Sequence, residues 1–273
     1  MLKKIMKKLK NLIITTALIL SLASCANNSK KDNKQSETIH QVSLLQGLML
    51  GDYYGSISVK ELKQMGDIGI GTFDKLNGEL IMTDGVVYRA KGDGTVEVVN
   101  DSELIPFANV TVFDNDESID LNNVKDLDSL LAILNKKVND NNSNQYCMAK
   151  ISGTFNKMNV RSELAQKEPY KPLVDVLKTD QTFFDYEKIN GTVVALYMPP
   201  YMNTINTTGW HLHFVSEDKT KGGHLLNLEI DKATLSLDYT SDFQMHLPDG
   251  EFFKSLDLTV DQKDDIKEVE QGQ

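Results

Sequence analysis

Between Gly78 and Val99 the apolar residues fall in short runs separated by Asp-Gly pairs. This pattern predicts three strands, 78–83, 86–90 and 95–99, joined by turns at Asp84-Gly85 and Asp93-Gly94 as a β-meander. Helical spacing appears on either side of it. Residues 42–50 read as a helix, and Ser58-Val59-Lys60-Glu61 forms a capping box ahead of Leu62 and Met65. The clearest helix covers 124–138, where Leu127, Leu130, Leu131, Leu134 and Val138 make one stripe. Further strands are expected at 110–113, 146–155, 192–197, 234–239 and 243–247. The stretch 159–172 should be irregular around Pro169 and Pro172, and a short helix should close the chain over 258–270. The chain therefore mixes α and β.

The two ends of this pattern divide the chain. Lys3, Lys4, Lys7, Lys8 and Lys10 precede an apolar run, 12–20, and Leu22-Ala23-Ser24-Cys25 follows as a cleavage site with small residues before a cysteine. Residues 1–25 thus read as an export signal, with Cys25 at the lipidation position of a bacterial lipoprotein. Residues 26–37 are polar and free of branched apolar side chains, which suits a disordered tether. The expected location is the outer face of the cell membrane, held by the N-terminal lipid alone, or the medium if the chain is released. The polar break at 139–144 suggests a boundary between an N-terminal domain, 38–140, and a C-terminal one, 145–273.

Composition narrows the function. A net charge of −10 over 273 residues, with no basic cluster outside the N-terminus, argues against nucleic acid as a partner. The glycines of Gly66–Gly71 are not followed by the Lys-Ser/Thr of a phosphate loop. With Cys25 lipidated, Cys147 has no partner and reads as a small buried apolar residue.

Candidate chemistry concentrates in Gly209–His224, which holds three of the five histidines. His211 and His213 alternate with Trp210, Leu212 and Phe214, so on a strand they share one face. A polar reversal ending in Gly222-Gly223 leads to a second strand, 224–230, which starts at His224. Three imidazoles on adjacent strands fill three positions of a tetrahedral Zn²⁺ and leave the fourth to water or substrate. A single buried histidine is more often a hydrogen-bonded core residue, and His246, alone before Leu247-Pro248, reads as structural or surface. By position alone Glu79 favours solvent, while Arg161 is either a surface charge or a bidentate holder of a carboxylate.

The chain resembles the α-acetolactate decarboxylases from about Thr38 to its C-terminus. The resemblance rests on Gly69-Ile-Gly-Thr-Phe-Asp-Lys-Leu-Asn-Gly-Glu79, on Gln166–Leu173 after Arg161, on Gly191-Thr-Val-Val194 and on Gly209–His224. It implies Zn²⁺ on His211, His213 and His224, with Glu79, Arg161 and a glutamate of the terminal helix in the site. That glutamate matches Glu270, with Glu268 the alternative. Ser162–Ala165 departs from the more basic or proline-containing stretch expected there. The implied reaction converts (S)-2-acetolactate to (R)-acetoin and CO₂, and the implied architecture is α/β with two β-rich domains, commonly dimeric. Two other readings compete. His211-x-His213-x₃-Glu217 looks like a first cupin motif of a metal oxygenase or isomerase, although His224 stands where that motif wants glycine. A non-catalytic zinc-binding lipoprotein would be favoured by an acid-rich or histidine-rich loop, and Glu217–Gly223 holds no histidine.

Overall fold

The computed structural model describes residues 37–262 together with 265, 266 and 269. In chain order the elements are β1 (Thr38–Val42), α1 (Leu45–Met49), β2 (Ile57–Ser58), α2 (Val59–Met65), β3 (Ile68–Thr72), β4 (Glu79–Thr83), β5 (Val86–Ala90), β6 (Val96–Val98), β7 (Leu104–Ile105) and β8 (Phe107–Thr111). There follow β9 (Glu117–Val124), α3 (Leu127–Asn141), β10 (Tyr146–Glu163), α4 (Leu173–Thr179), β11 (Gln181–Met198), β12 (Gly209–Ser216), β13 (Gly222–Thr240), β14 (Asp242–His246) and α5 (Glu251–Ser255). The protein is mostly β with several short helices.

Two sheets carry the fold. The first has the order β14-β1-β8-β3-β4-β5-β6 and is antiparallel except where β14 joins β1. The second has the order β10-β11-β12-β13-β9, and a further β10–β13 ladder closes β10, β11, β12 and β13 into a ring. The described residues belong to one compact unit. The chain passes from the first sheet to the second between Thr111 and Glu117 and returns at Asp242, so the polar break at 139–144 lies inside the second sheet's connections.

Alternation within each strand explains how the layers stack. On β12, Trp210, Leu212 and Phe214 point into the ring with Ile151, Phe155 and Leu235, and Leu130, Leu134 and Val138 of α3 cover the same core. The opposite face, through Val194, Leu196 and Val215, meets Ile39, Ile70 and Ile81 of the first sheet. The first sheet's other face packs Leu80, Met82 and Val110 against Val59 and Leu62 of α2. Strands covered on both faces lose the simple apolar–polar alternation of a half-exposed sheet. Asp126 caps α3 by accepting from the Ser129 N–H at 2.8 Å, and the Ser58–Glu61 capping box starts α2 as its sequence predicts.

Several expectations need correction. Within 42–50 the helix is confined to Leu45–Met49, and Val42 instead ends a strand that begins at Thr38. Pairing with β13 as far as Arg161 and with β11 as far as Glu163 carries β10 on, so residues 159–163 are strand and irregular chain begins only at Leu164. Strand β9 and helices α4 and α5 had no clear periodic signal. Cys147 is buried, and burial pushes its thiol pKa up, which removes it from thiolate chemistry.

Candidate metal centre

His211 and His213 occupy β12, and His224 lies directly across from His213 where β13 begins. The local sequence makes this pairing possible. Gly223 has φ 149°, and a Cβ there would stand 2.5 Å from the Arg161 carbonyl, so only glycine lets β13 approach β10 while delivering His224. The three side chains converge. His211 Nε2 lies 3.0 Å from His213 Nε2 and 3.1 Å from His224 Nδ1, and one nitrogen from each falls within a 4.8 Å cluster.

The site sits where the sheets meet. His213 Nδ1 is 2.8 Å from the Leu80 carbonyl of β4, so that nitrogen carries the proton and Nε2 keeps its lone pair. Burial pushes the His211 pKa down to about 3, with the Arg161 charge a second cause. His213 is driven well below the ordinary range by burial, then by His211, with the Leu80 carbonyl partly opposing. Neutral, converging imidazoles are the form in which histidine binds a metal, so the donor set fits Zn²⁺ or a similar divalent ion.

The first sheet supplies the facing wall. Glu79 opens β4 on the same face as Ile81, is 5% exposed, and its Oε2 lies 3.3 Å from His213 Nε2. The expectation that it faces solvent fails because the second sheet covers that face. Gly78, at φ 86°, precedes it, and Thr72 opposite Glu79 donates its hydroxyl to the Gly78 carbonyl at 2.8 Å. Arg161 is also buried and stands across from His224 on β10. It donates from Nη1 to Gln181 Oε1 at 3.2 Å and from Nη2 to the Val269 carbonyl at 2.7 Å. A small pocket is lined by the three histidines, Thr72, Glu79, Arg161 and Glu163, with Leu48, Phe107, Leu173 and Val269 among its apolar walls.

The structure thus brings together His211, His213, His224, Glu79 and Arg161. Glu270 and Glu268, like Cys25, lie outside the described residues. Thr72 and Glu163 were not singled out from the sequence. Thr72 sits inside the Gly69–Glu79 motif, and Glu163 shares the strand face of Arg161, but that signal exists only once β10 is known to reach Glu163. His246 is elsewhere, its Nε2 3.2 Å from His40 Nδ1 on the paired strand β1.

A buried three-histidine group that could hold a metal ion, with an acid and an arginine at its edge between two β-sheets, is the arrangement of a metalloenzyme site. Comparison with known proteins narrows the class. A family profile described as alpha-acetolactate decarboxylase matches residues 39–260, and the chain belongs to that family of carboxy-lyases. It is 38% identical over 238 residues to the alpha-acetolactate decarboxylase of Methanosarcina mazei, covering 87% of this chain and 82% of that one. Against the Bacillus subtilis strain 168 enzyme it is 33% identical over 247 residues, covering 89% and 93%. The crystal structure of a Bacillus subtilis strain 168 alpha-acetolactate decarboxylase superposes with a TM-score of 0.83 at 32% identity, covering 86% of this chain and 99% of that one.

Proposed function

We propose that this decarboxylase converts (S)-2-acetolactate to (R)-acetoin and CO₂ with Zn²⁺ held by His211, His213 and His224. The observation that carries the reading is the convergence of three buried imidazole nitrogens beside Arg161 and Glu79. Zinc bound there supplies a Lewis acid for adjacent substrate oxygens, which removes the need for an organic electron sink.

The chain's own residues do the rest. Arg161, charged and buried, orients the substrate carboxylate. When the C1–C2 bond breaks, CO₂ leaves and the electron pair remains as an enediolate. The low-dielectric pocket strengthens every charge contact made to it. Carbon then takes a proton on one face. Glu79 is placed to hold that proton, and Glu270 shares this assignment through the family resemblance. Exclusion of water by the sheet-to-sheet packing keeps delivery one-sided, which sets the product's chirality.

Purified protein given racemic 2-acetolactate, with and without chelator, tests this reading by chiral separation of acetoin. Rapid, chelator-sensitive formation of one enantiomer is expected, with about one zinc per chain recovered by metal analysis. Racemic acetoin at the spontaneous rate from zinc-loaded protein would sink it. The chain is further proposed to act as a homodimer attached outside the cell membrane through lipid on Cys25. Light scattering tests the first point, and fatty-acid labelling lost in Cys25→Ala tests the second.

A further inference from the structure

Glu163 is the ionisable residue lining the pocket that the mechanism leaves unused. It ends β10 two residues after Arg161, so both side chains leave the same face of the strand, about 7 Å apart along it. Arg161 is level with His224, which puts Glu163 one step further from the histidines. Its side chain is buried, with the residue only 4% exposed, and its Oε2 has no hydrogen-bond partner among the described residues. Leaving a buried carboxylate oxygen without a donor is costly, and such groups usually have a role.

Several nearby donors are committed elsewhere, and Arg161 Nε, which has no partner among the described residues, makes no bond to this oxygen. Arg161 gives its Nη groups to Gln181 and Val269. The amide of Gln181, paired with Glu163 across the β10–β11 ladder, donates to the Leu177 carbonyl. Tyr53, close enough for the Glu163 charge to act on it, donates its hydroxyl to the Lys171 carbonyl at 2.9 Å. None of the described residues donates to Glu163 Oε2, and a bound molecule that carries an O–H can supply that donor. A C2 branch that is purely alkyl offers none, and it would leave the carboxylate against hydrocarbon.

We propose that Glu163 is a specificity-determining residue that accepts a hydrogen bond from an O–H on the C2 branch of the substrate. The chain then favours 2-hydroxy-3-oxo acids with a hydroxylated branch over those with an alkyl branch of the same size. This rests on the decarboxylase reading and extends it to a substrate class.

The test compares kcat/KM for two isosteric acids, 2-hydroxy-2-(hydroxymethyl)-3-oxobutanoate and 2-ethyl-2-hydroxy-3-oxobutanoate, with 2-acetolactate as reference. The native chain should prefer the hydroxymethyl acid by ~10-fold or more, because a site built to hydrogen-bond a hydroxyl rejects the analogue that lacks it. Glu163→Val should reverse the preference, and Glu163→Gln, which keeps an acceptor oxygen, should retain part of it. Zinc content and Tm report whether each variant is folded. Equal turnover of both acids by the native chain overturns the proposal, as does a preference unchanged in Glu163→Val. Turnover of 2-acetolactate with neither larger acid accepted overturns it too, while loss of 2-acetolactate turnover in the native chain marks failure of the underlying activity.

Discussion

Arg161 and Val269, 108 residues apart in sequence, are joined by a buried hydrogen bond of 2.7 Å from Nη2 to the carbonyl oxygen. The guanidinium that lines the pocket is thereby held at Val269, which lines the same pocket. One arginine both lines the site and fastens Val269 beside it.

Arg161→Ala removes both functions. Turnover of 2-acetolactate should fall by ~10²-fold or more, as when one donor to developing charge is lost from a dry site. Hydrogen exchange at the Ile266 and Val269 amides should rise in the same variant. Arg161→Lys restores the charge without the fork and should recover only part of the rate. Unchanged kinetics with faster exchange would reduce Arg161 to a structural clasp.

Glu79→Gln keeps the volume of a side chain packed between two sheets and removes its capacity to transfer a proton. A loss of ~10²-fold or more in kcat is expected, with zinc content unchanged, because the three ligands remain. Full kcat in this variant would move the proton to another group.

Gly223→Ala places a methyl 2.5 Å from the Arg161 carbonyl in a conformation that suits glycine. Strand β13 must retreat from β10, and His224 moves with it. Destabilisation of ~1–3 kcal/mol and a weaker zinc site follow, measured by urea titration and by competition with a chelator. Gly250→Ala, where nothing lies within 4 Å of the added carbon, serves as the neutral control.

Asp238 gives a pH dependence remote from the site. Burial first, then the charges of Asp116, Glu37 and Asp114, raises its pKa from 3.8 to about 7, with the Asp114 N–H partly opposing. Between those values the folded chain binds more protons than the unfolded one. Stability contributed by Asp238 is therefore present below pH 3.8, declines as pH rises toward 7 and is absent above it. Asp238→Asn should flatten that decline and be more stable than the native chain at pH 8, as read from urea midpoints at several pH values. A parallel decline in both proteins would assign the dependence to other groups.

Much of this was legible before any coordinates. The Asp-Gly turns place β4, β5 and β6 within a residue or two of their observed bounds, because a hairpin is specified by a few adjacent residues. The stripe of 124–138 marks α3, which starts three residues later at the Asp126 cap. Residues 159–163 misled because the prolines that follow them suggest irregular chain, whereas two neighbouring strands keep this stretch extended. Strand β9 shows why weak patterns fail. Its residues gain a strand's identity from the β13 edge they pair with, which lies more than 100 positions further on.

The sequence by itself determined the three-histidine group. An alternating pair of histidines, a polar reversal and a Gly-Gly-His are local features, and period-two geometry puts their side chains together without help from the rest of the chain. Tertiary structure decided what the metal centre faces. Glu79 turns inward because the second sheet covers its face of β4, and Arg161 meets His224 because β10 pairs with β13. Glu163 joins them because that ladder's strand runs on to its end. Burial and cross-strand register depend on which distant segments pack together, and no local pattern of residues carries that information.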